Sequence, residues 1–343
     1  MERLSSATKR GTIESALNSQ GESAAEASPE AEVTVDGVPF ELRLCTAYGY
    51  RYRLMNDDLV LMIAPNPRAS MGCVRAQYSS ALLWREGWRS ATERGERLVR
   101  AMLHARAFTR PHGVARLDLC ADFQGWQPIA SDLDRFVTRA NYRAVHKIGD
   151  ALSGFTFGKG DASARIYDKT LEIVQSGKEW MRAIWVQGEY DCAAPVWRLE
   201  FQLRRPMLRE MDLGCLSAAS EGLARLWNYL TAKWLRLVVP GVCDRRELWD
   251  LDPVWDCLTG ANFGAKGEAL VRTRKRSLDR DRLERGLLGN LTSYAALARH
   301  STLESAMSAV EVALAARLAK RGVPFHRLVD RRRRRMATLP VVA

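Results

Sequence analysis

The stretch Val114-Ala115-Arg116-Leu117-Asp118-Leu119-Cys120-Ala121-Asp122-Phe123 decides how this chain is read. With a period of two, Arg116, Asp118, Cys120 and Asp122 share one face, and Ala115, Leu117, Leu119, Ala121 and Phe123 share the other. The pattern predicts a half-buried strand whose open face carries two carboxylates and a guanidinium. Asp118 and Asp122, four residues apart, stand roughly 13 Å from each other along a strand. An ordinary solvent-facing strand would show the same alternation, so this stretch alone names no chemistry.

Working outward, two more strands offer polar residues in the same way. Gly154 to Asp161 reads as a strand ending in a Gly-Lys-Gly-Asp turn, and Ala162 to Lys169 as its return strand. Val196 to Arg204 alternates cleanly, with Arg198, Glu200, Gln202 and Arg204 opposite Trp197, Leu199, Phe201 and Leu203. Between them, Ser131-Asp132-Leu133-Asp134 predicts the cap of a helix running to about Val145. Upstream, residues 38–64 and 71–84 read as strands and loops, followed by a helix over 91–107. Downstream, Leu216 to Val239 and the helix opened by Ser301-Thr302-Leu303-Glu304 have helical spacing. The expected fold is α+β: antiparallel-rich sheets with helices on one face and an open polar face, then a mainly helical C-terminal part. The expected organisation is a disordered leader over 1–32, poor in large apolar residues, and an α+β domain over 33–209. A helical domain over 210–330 and a basic tail over 331–343 would complete it.

The chain holds 343 residues, ample for a full core, and 52 Lys+Arg against 40 Asp+Glu give a net charge of +12. Such an excess favours a polyanionic partner, nucleic acid before anionic membrane. Most of it is Arg, whose planar fork suits phosphate and guanine edges. Seven scattered cysteines without a C-x-x-C pair argue against a zinc ribbon or a disulfide framework and for a reducing, cytoplasmic setting. No window reads as a membrane span or a secretion signal. A Walker-type phosphate loop is absent, so a helicase would be a separate partner.

Asp118 and Asp122, Tyr167 with Arg165 and Lys169, and Glu200 with Arg198 lie on three strands that could share one face. Carboxylates converging from separate strands suit Mg²⁺ or Mn²⁺, which take oxygen ligands. A tyrosine beside such an ion can act as a nucleophile. A surface salt-bridge ladder would fit the same residues.

Arg116-Leu117-Asp118-Leu119-Cys120-Ala121-Asp122, then Arg165-Ile166-Tyr167-Asp168-Lys169 with Glu172, then Trp197-Arg198-Leu199-Glu200-Phe201 with Arg204, resemble in order and spacing the motifs of the Rep_trans replication initiation family. That family includes initiators of rolling-circle plasmids, related phage-type initiators and relaxases of conjugative elements. The resemblance spans roughly residues 35–300. It implies a protein that nicks DNA at an origin, single-stranded or extruded, through a tyrosine that keeps the 5′ phosphate and frees a 3′ hydroxyl. The nucleophile would be Tyr167, with Lys169 beside it and Tyr190 as the alternative. The metal ligands would come from Asp118, Asp122, Asp168 and Glu200. Strand parity points Asp168 away from Tyr167 unless the strand bulges or ends there. All five histidines are isolated, which argues against a paired-histidine nicking site, and His146 reads as incidental.

Expected DNA contacts are Arg116, Arg165, Arg198 and Arg204 on the strands, Arg272, Arg274, Lys275 and Arg276 downstream, and Arg331, Arg332 and Arg333 in the tail. Residues 271–285 mix seven basic with three acidic residues, which also suits a solvated helix. Trp126, Trp180 and Trp185 are candidates to stack unpaired bases. The helical C-terminal part could pair two copies in a homodimer. The rival function is a non-catalytic origin-binding regulator of the same ancestry.

Overall fold

The computed structural model describes residues 31–45, 49–65, 67, 71–103, 112–264, 270, 272 and 280–337. Most of the expected leader, together with Arg274, Lys275 and Arg276, lies outside the described residues. So do the side chains of Arg331 and Arg332. The chain divides into two compact units, one ending at Pro111 and the other beginning at His112.

In the first unit, β1 (Ala31–Val35), β2 (Val38–Leu44), β3 (Tyr52–Met55), β4 (Leu59–Ile63) and β5 (Val74–Tyr78) form an antiparallel meander. Alternation buries Val33, Phe40, Leu42, Leu54 and Leu61 on one face. Against them pack Leu82, Ala91, Leu98 and Met102 of α1 (Ser80–Met102). The helix starts earlier than its apolar spacing predicts because the Ser79 hydroxyl accepts from the Leu82 N–H at 3.1 Å, a side-chain N-cap. It breaks at Gly87, whose φ of +76° only glycine adopts freely.

The second unit is built on a five-stranded antiparallel sheet in the order β6-β11-β10-β9-β8. Its strands are β6 (Arg116–Phe123), β8 (Arg143–Ile148), β9 (Ala151–Phe157), β10 (Ala162–Asp168) and β11 (Trp197–Arg204). The helix expected over 131–145 is instead a 3-10 turn (Ala130–Arg135) followed by β7 (Phe136–Thr138) and then β8. Phe136-Val137-Thr138 is aromatic and β-branched, and β7 pairs with β12 (Leu235–Leu237) in a small second sheet.

On the apolar face, Leu119, Phe155, Phe157, Ile166, Leu199 and Phe201 meet side chains from four helices. These are α4 (Arg205–Glu210), α5 (Leu216–Glu221), α6 (Leu223–Tyr229) and α7 (Pro253–Thr259). The single long helix expected over 216–239 is broken at Gly222 and passes through a π turn (Leu230–Trp234) into β12. Two buried indoles find acceptors: Trp227 Nε1 donates to Leu258 O at 2.8 Å and Trp255 Nε1 to Thr231 O at 2.9 Å. Because α4 to α7 supply the cover of the sheet, no division falls near residue 210. The expected boundary moves to 111/112. Beyond these come α8 (Arg280–Ala298), α9 (Leu303–Arg321) and α10 (Phe325–Ala337), the mainly helical C-terminal part.

The fold is α+β as the sequence predicts, with helices on the apolar face and a polar face opposite. Two short helices, α2 (Lys169–Ser176) and α3 (Met181–Gln187), cover one end of that polar face. There Ile173, Met181, Trp185 and Val196 form a small buried cluster with Tyr190 packed against it.

Candidate active site

Antiparallel register fixes which polar residues are neighbours. Tyr167 lies opposite Arg198, and Arg198 opposite Asp122. One row along, Arg165 faces Glu200 and Glu200 faces Cys120; the next row pairs Gln202 with Asp118. Asp118, Tyr167 and Glu200 are therefore on one sheet face, on three adjacent strands.

Glu200 is the hub. One of its oxygens pairs with the Arg165 guanidinium, and the other accepts the Tyr167 hydroxyl at 3.0 Å. Burial, then the Glu200 charge, pushes the Tyr167 phenol well above its ordinary range, while the Arg198 guanidinium pulls it down. The phenol is thus neutral at physiological pH and already hydrogen-bonded to a carboxylate that can take its proton. Lys169 is buried beside it, with its ammonium 5.6 Å from the ring centroid and ion-paired to Glu172. Burial lowers the Lys169 pKa, against the opposing pull of Glu172.

The four expected metal ligands separate into two kinds. Asp118 is half exposed, and its oxygens accept from Arg116 Nε at 2.8 Å and from the same guanidinium at 2.5 Å. Asp122 lies at the covered end of the face, its side chain 10% exposed. It accepts from Arg198 at 2.6 and 2.8 Å and from Trp185 Nε1 at 2.9 Å. Asp168 ends β10 and caps α2, its Oδ1 accepting from Leu171 N–H at 3.1 Å. Parity is thereby resolved by the strand ending at this residue, and Asp168 is occupied with the helix. Among the described residues, no group of three or more His, Cys, Asp or Glu is clustered to hold a metal ion.

The remaining expected residues are placed as follows. Arg198, expected at DNA, is buried 94% and bound to Asp122, so its guanidinium faces protein rather than solvent. Tyr190 donates to Asp122 O at 2.7 Å and packs against the α2–α3 cluster. Arg204 is exposed at the end of β11, opposite Arg116. Arg272 pairs with Glu210 at 2.5 Å, and Arg333 lies exposed near Asp330. Of the candidate stacking tryptophans, Trp126 and Trp185 are buried and only Trp180 is exposed.

Two neighbours escape the sequence reading. His146 of β8 lies opposite Gly154, which lies opposite Tyr167, and the His146 ring nitrogen meets Thr156 Oγ1 at 2.8 Å. Gly154 is required there: a Cβ would stand 2.3 Å from the Ile166 carbonyl oxygen and 3.0 Å from Tyr167 Cα. The available signal is the alternation in Arg143-Ala144-Val145-His146-Lys147-Ile148, which the helix expected over this segment obscures.

The seven cysteines form no disulfide. No helix among the described residues is long and apolar enough to cross a membrane. No family model and no curated protein matches the chain. Among solved structures, the chain is similar at 16% identity and a TM-score of 0.40 to a rolling circle replication initiator protein from Geobacillus stearothermophilus, over 64% of this chain and 81% of that one.

Proposed function

We propose that this protein is a DNA replication initiator or relaxase of the Rep_trans kind, nicking one strand by tyrosine transesterification. The observation that supports it most is the Tyr167 hydroxyl, held 3.0 Å from Glu200 on a polar sheet face beside Arg165. In the reaction, Tyr167 Oη attacks a phosphodiester phosphorus as its proton passes to Glu200. The bond from phosphorus to the 3′ oxygen breaks, that oxygen takes a proton from solvent, and the 5′ phosphate stays on the tyrosine. One phosphodiester replaces another, so the strand can be rejoined by the reverse path. Arg165 stands beside the tyrosine where phosphate charge would lie, and Lys169 adds positive charge near the ring.

A divalent ion belongs to the same proposal, with two of the four expected ligands. Mg²⁺ commonly takes one or two carboxylates plus substrate phosphate and water. Asp118 and Glu200 fit that donor set, because their guanidinium partners are on side chains 44% and 51% exposed and such pairs exchange at little cost. Asp122 and Asp168 do not fit, being committed to Arg198 and to the α2 cap. Bound there, Mg²⁺ or Mn²⁺ would supply Lewis-acid polarisation of the phosphate. A separate helicase would open the duplex, and the C-terminal helices would pair two copies.

Incubation of the protein with origin-bearing single-stranded oligonucleotide and Mn²⁺ tests the reading. A covalent adduct is expected, lost in Tyr167→Phe and retained in Tyr190→Phe. Specific binding without adduct under any divalent ion would overturn catalysis and favour the origin-binding regulator.

A further inference from the structure

Tyrosine transesterification needs a second proton transfer, beyond the one from Tyr167 to Glu200. As the phosphorus leaves its 3′ oxygen, that oxygen must gain a proton, and in the rejoining step it must lose one. Attacking and leaving oxygens lie in line on opposite sides of the phosphorus. The group that serves the leaving oxygen therefore belongs on the far side of the phosphate from Tyr167 and Glu200.

In the sheet, that far side is β9 and β8. Thr156 of β9 lies opposite Arg165, which lies opposite Glu200, and Ala144 of β8 lies opposite Thr156. The next row runs His146, Gly154, Tyr167, Arg198. Directly opposed residues share a sheet face, so His146, Thr156, Arg165, Tyr167 and Glu200 all stand on the polar one. His146 and Tyr167 are two strands apart, roughly 10 Å between backbones at the usual strand spacing. Gly154 puts no side chain into the gap between them. Both residues lean the same way out of their row. The Tyr167 hydroxyl reaches Glu200 at 3.0 Å, and His146 Nε2 reaches Thr156 Oγ1 at 2.8 Å. Both reactive atoms are thus brought to the row in which Arg165 is central, with Glu200 on one side of it and Thr156 on the other. A phosphate paired with the Arg165 guanidinium would have the tyrosine hydroxyl on one side and the imidazole on the other.

The surroundings of His146 suit it to proton transfer. β8 is the edge strand of the sheet and His146 is exposed, so solvent can replace a proton that the ring gives away. Beside it, the pairing of β8 with β9 skips Ser153, and bulges next to active sites re-aim side chains. Ala144, His146, Gly154 and Thr156 are the residues that regular pairing of β8 and β9 sets on this face, and of these four only a histidine exchanges a proton near neutral pH. We infer that His146 is the general acid for the leaving 3′ oxygen, and the general base when that oxygen attacks to rejoin the strand. The inference rests on the nicking reading above. In the forward step the bond from Tyr167 Oη to phosphorus forms, the bond from phosphorus to the 3′ oxygen breaks, and the imidazolium N–H gives its proton to that oxygen. Solvent then reprotonates the ring. In the reverse step the neutral ring takes the hydroxyl proton as the 3′ oxygen displaces the tyrosine.

A single-stranded origin oligonucleotide with sulfur in place of the bridging 3′ oxygen at the scissile phosphate isolates this step. A thiol ionises at a pKa of about 8.5 and leaves without help from an acid, unlike an alcohol. With the full-length protein and Mn²⁺, His146→Ala and His146→Gln are expected to form adduct about 10²–10⁴-fold more slowly than the parent on the oxygen substrate. On the sulfur substrate both variants should run close to the parent rate, which a misfolded variant would not do. Equal losses on the two substrates in both variants, or no loss on the oxygen substrate, would overturn the inference while leaving nicking by Tyr167 in place. Absence of adduct from the parent protein on either substrate is the different result that marks failure of the nicking proposal, and the role of His146 falls with it.

Discussion

Asp118 and Asp122 stand on one face of one strand, and their surroundings give them different work. Asp122 is enclosed with Arg198 and Trp185, so removing one partner leaves a buried charge uncompensated. Asp122→Asn is expected to destabilise the protein by about 3–5 kcal/mol, with Asp118→Asn close to neutral. Chemical denaturation of the two variants measures the difference; equal stabilities would remove the structural role assigned to Asp122. Tyrosines give a second residue-scale test. Burial, with Glu96 nearby, pushes the Tyr78 phenol up to about 12, above an ordinary value of 10. A raised phenol pKa means that folding favours the neutral form. Its contribution is fully present below pH 10 and lost as pH rises from 10 to about 12, where the unfolded chain ionises first. Tyr78→Phe should therefore flatten the fall of stability across that window. In a phenolate absorbance titration it should also remove one late-ionising tyrosine, leaving Tyr167 and Tyr190 in that class.

At the scale of elements, the decisive join is β10 to α2. The strand ends at Asp168, whose carboxylate turns to cap the helix instead of joining Tyr167. Asp168→Ala is expected to cost about 1 kcal/mol, the usual value of an N-cap, while adduct formation and its dependence on divalent ion persist. Loss of ion dependence in that variant would return Asp168 to the ligand set. Gly154 in β9 has a comparable role from the other side of Tyr167. Gly154→Ala forces a Cβ against the neighbouring strand, and a loss of about 1–3 kcal/mol is expected in thermal or denaturant unfolding. Alternation made β6, β10 and β11 legible in the sequence, since a half-buried strand must repeat every two residues. Residues 131–148 were not legible in that way. A capping pattern at Ser131 reads as a helix start; pairing with the distant β12 makes β7 a strand, and pairing with β9 makes β8 one.

For the whole molecule, the +12 net charge carries a prediction that needs no knowledge of the site. Affinity for DNA should fall steeply and linearly on a logarithmic salt axis, because counterions return to phosphates as arginines leave. A flat dependence would remove DNA from the account of this chain. The division into units at 111/112 is also a whole-molecule result. From residue 210 onward the chain looks helical and therefore separate, yet Leu226, Trp227 and Trp234 cover the same sheet that holds Tyr167.

By itself the sequence determined the strands that bear the site, the face on which Tyr167, Asp118 and Glu200 stand, and the basic charge that implies a polyanion. These follow from periodicity and composition, which are local or additive properties. Only the tertiary structure decided that Glu200 meets Tyr167 while Asp122 is locked to Arg198, and that Gly154 borders the tyrosine with His146 one strand further along the row. Those assignments depend on strand register and on where α2 and α3 close over the sheet. Both are set by packing between segments far apart in the chain, which no window of residues contains.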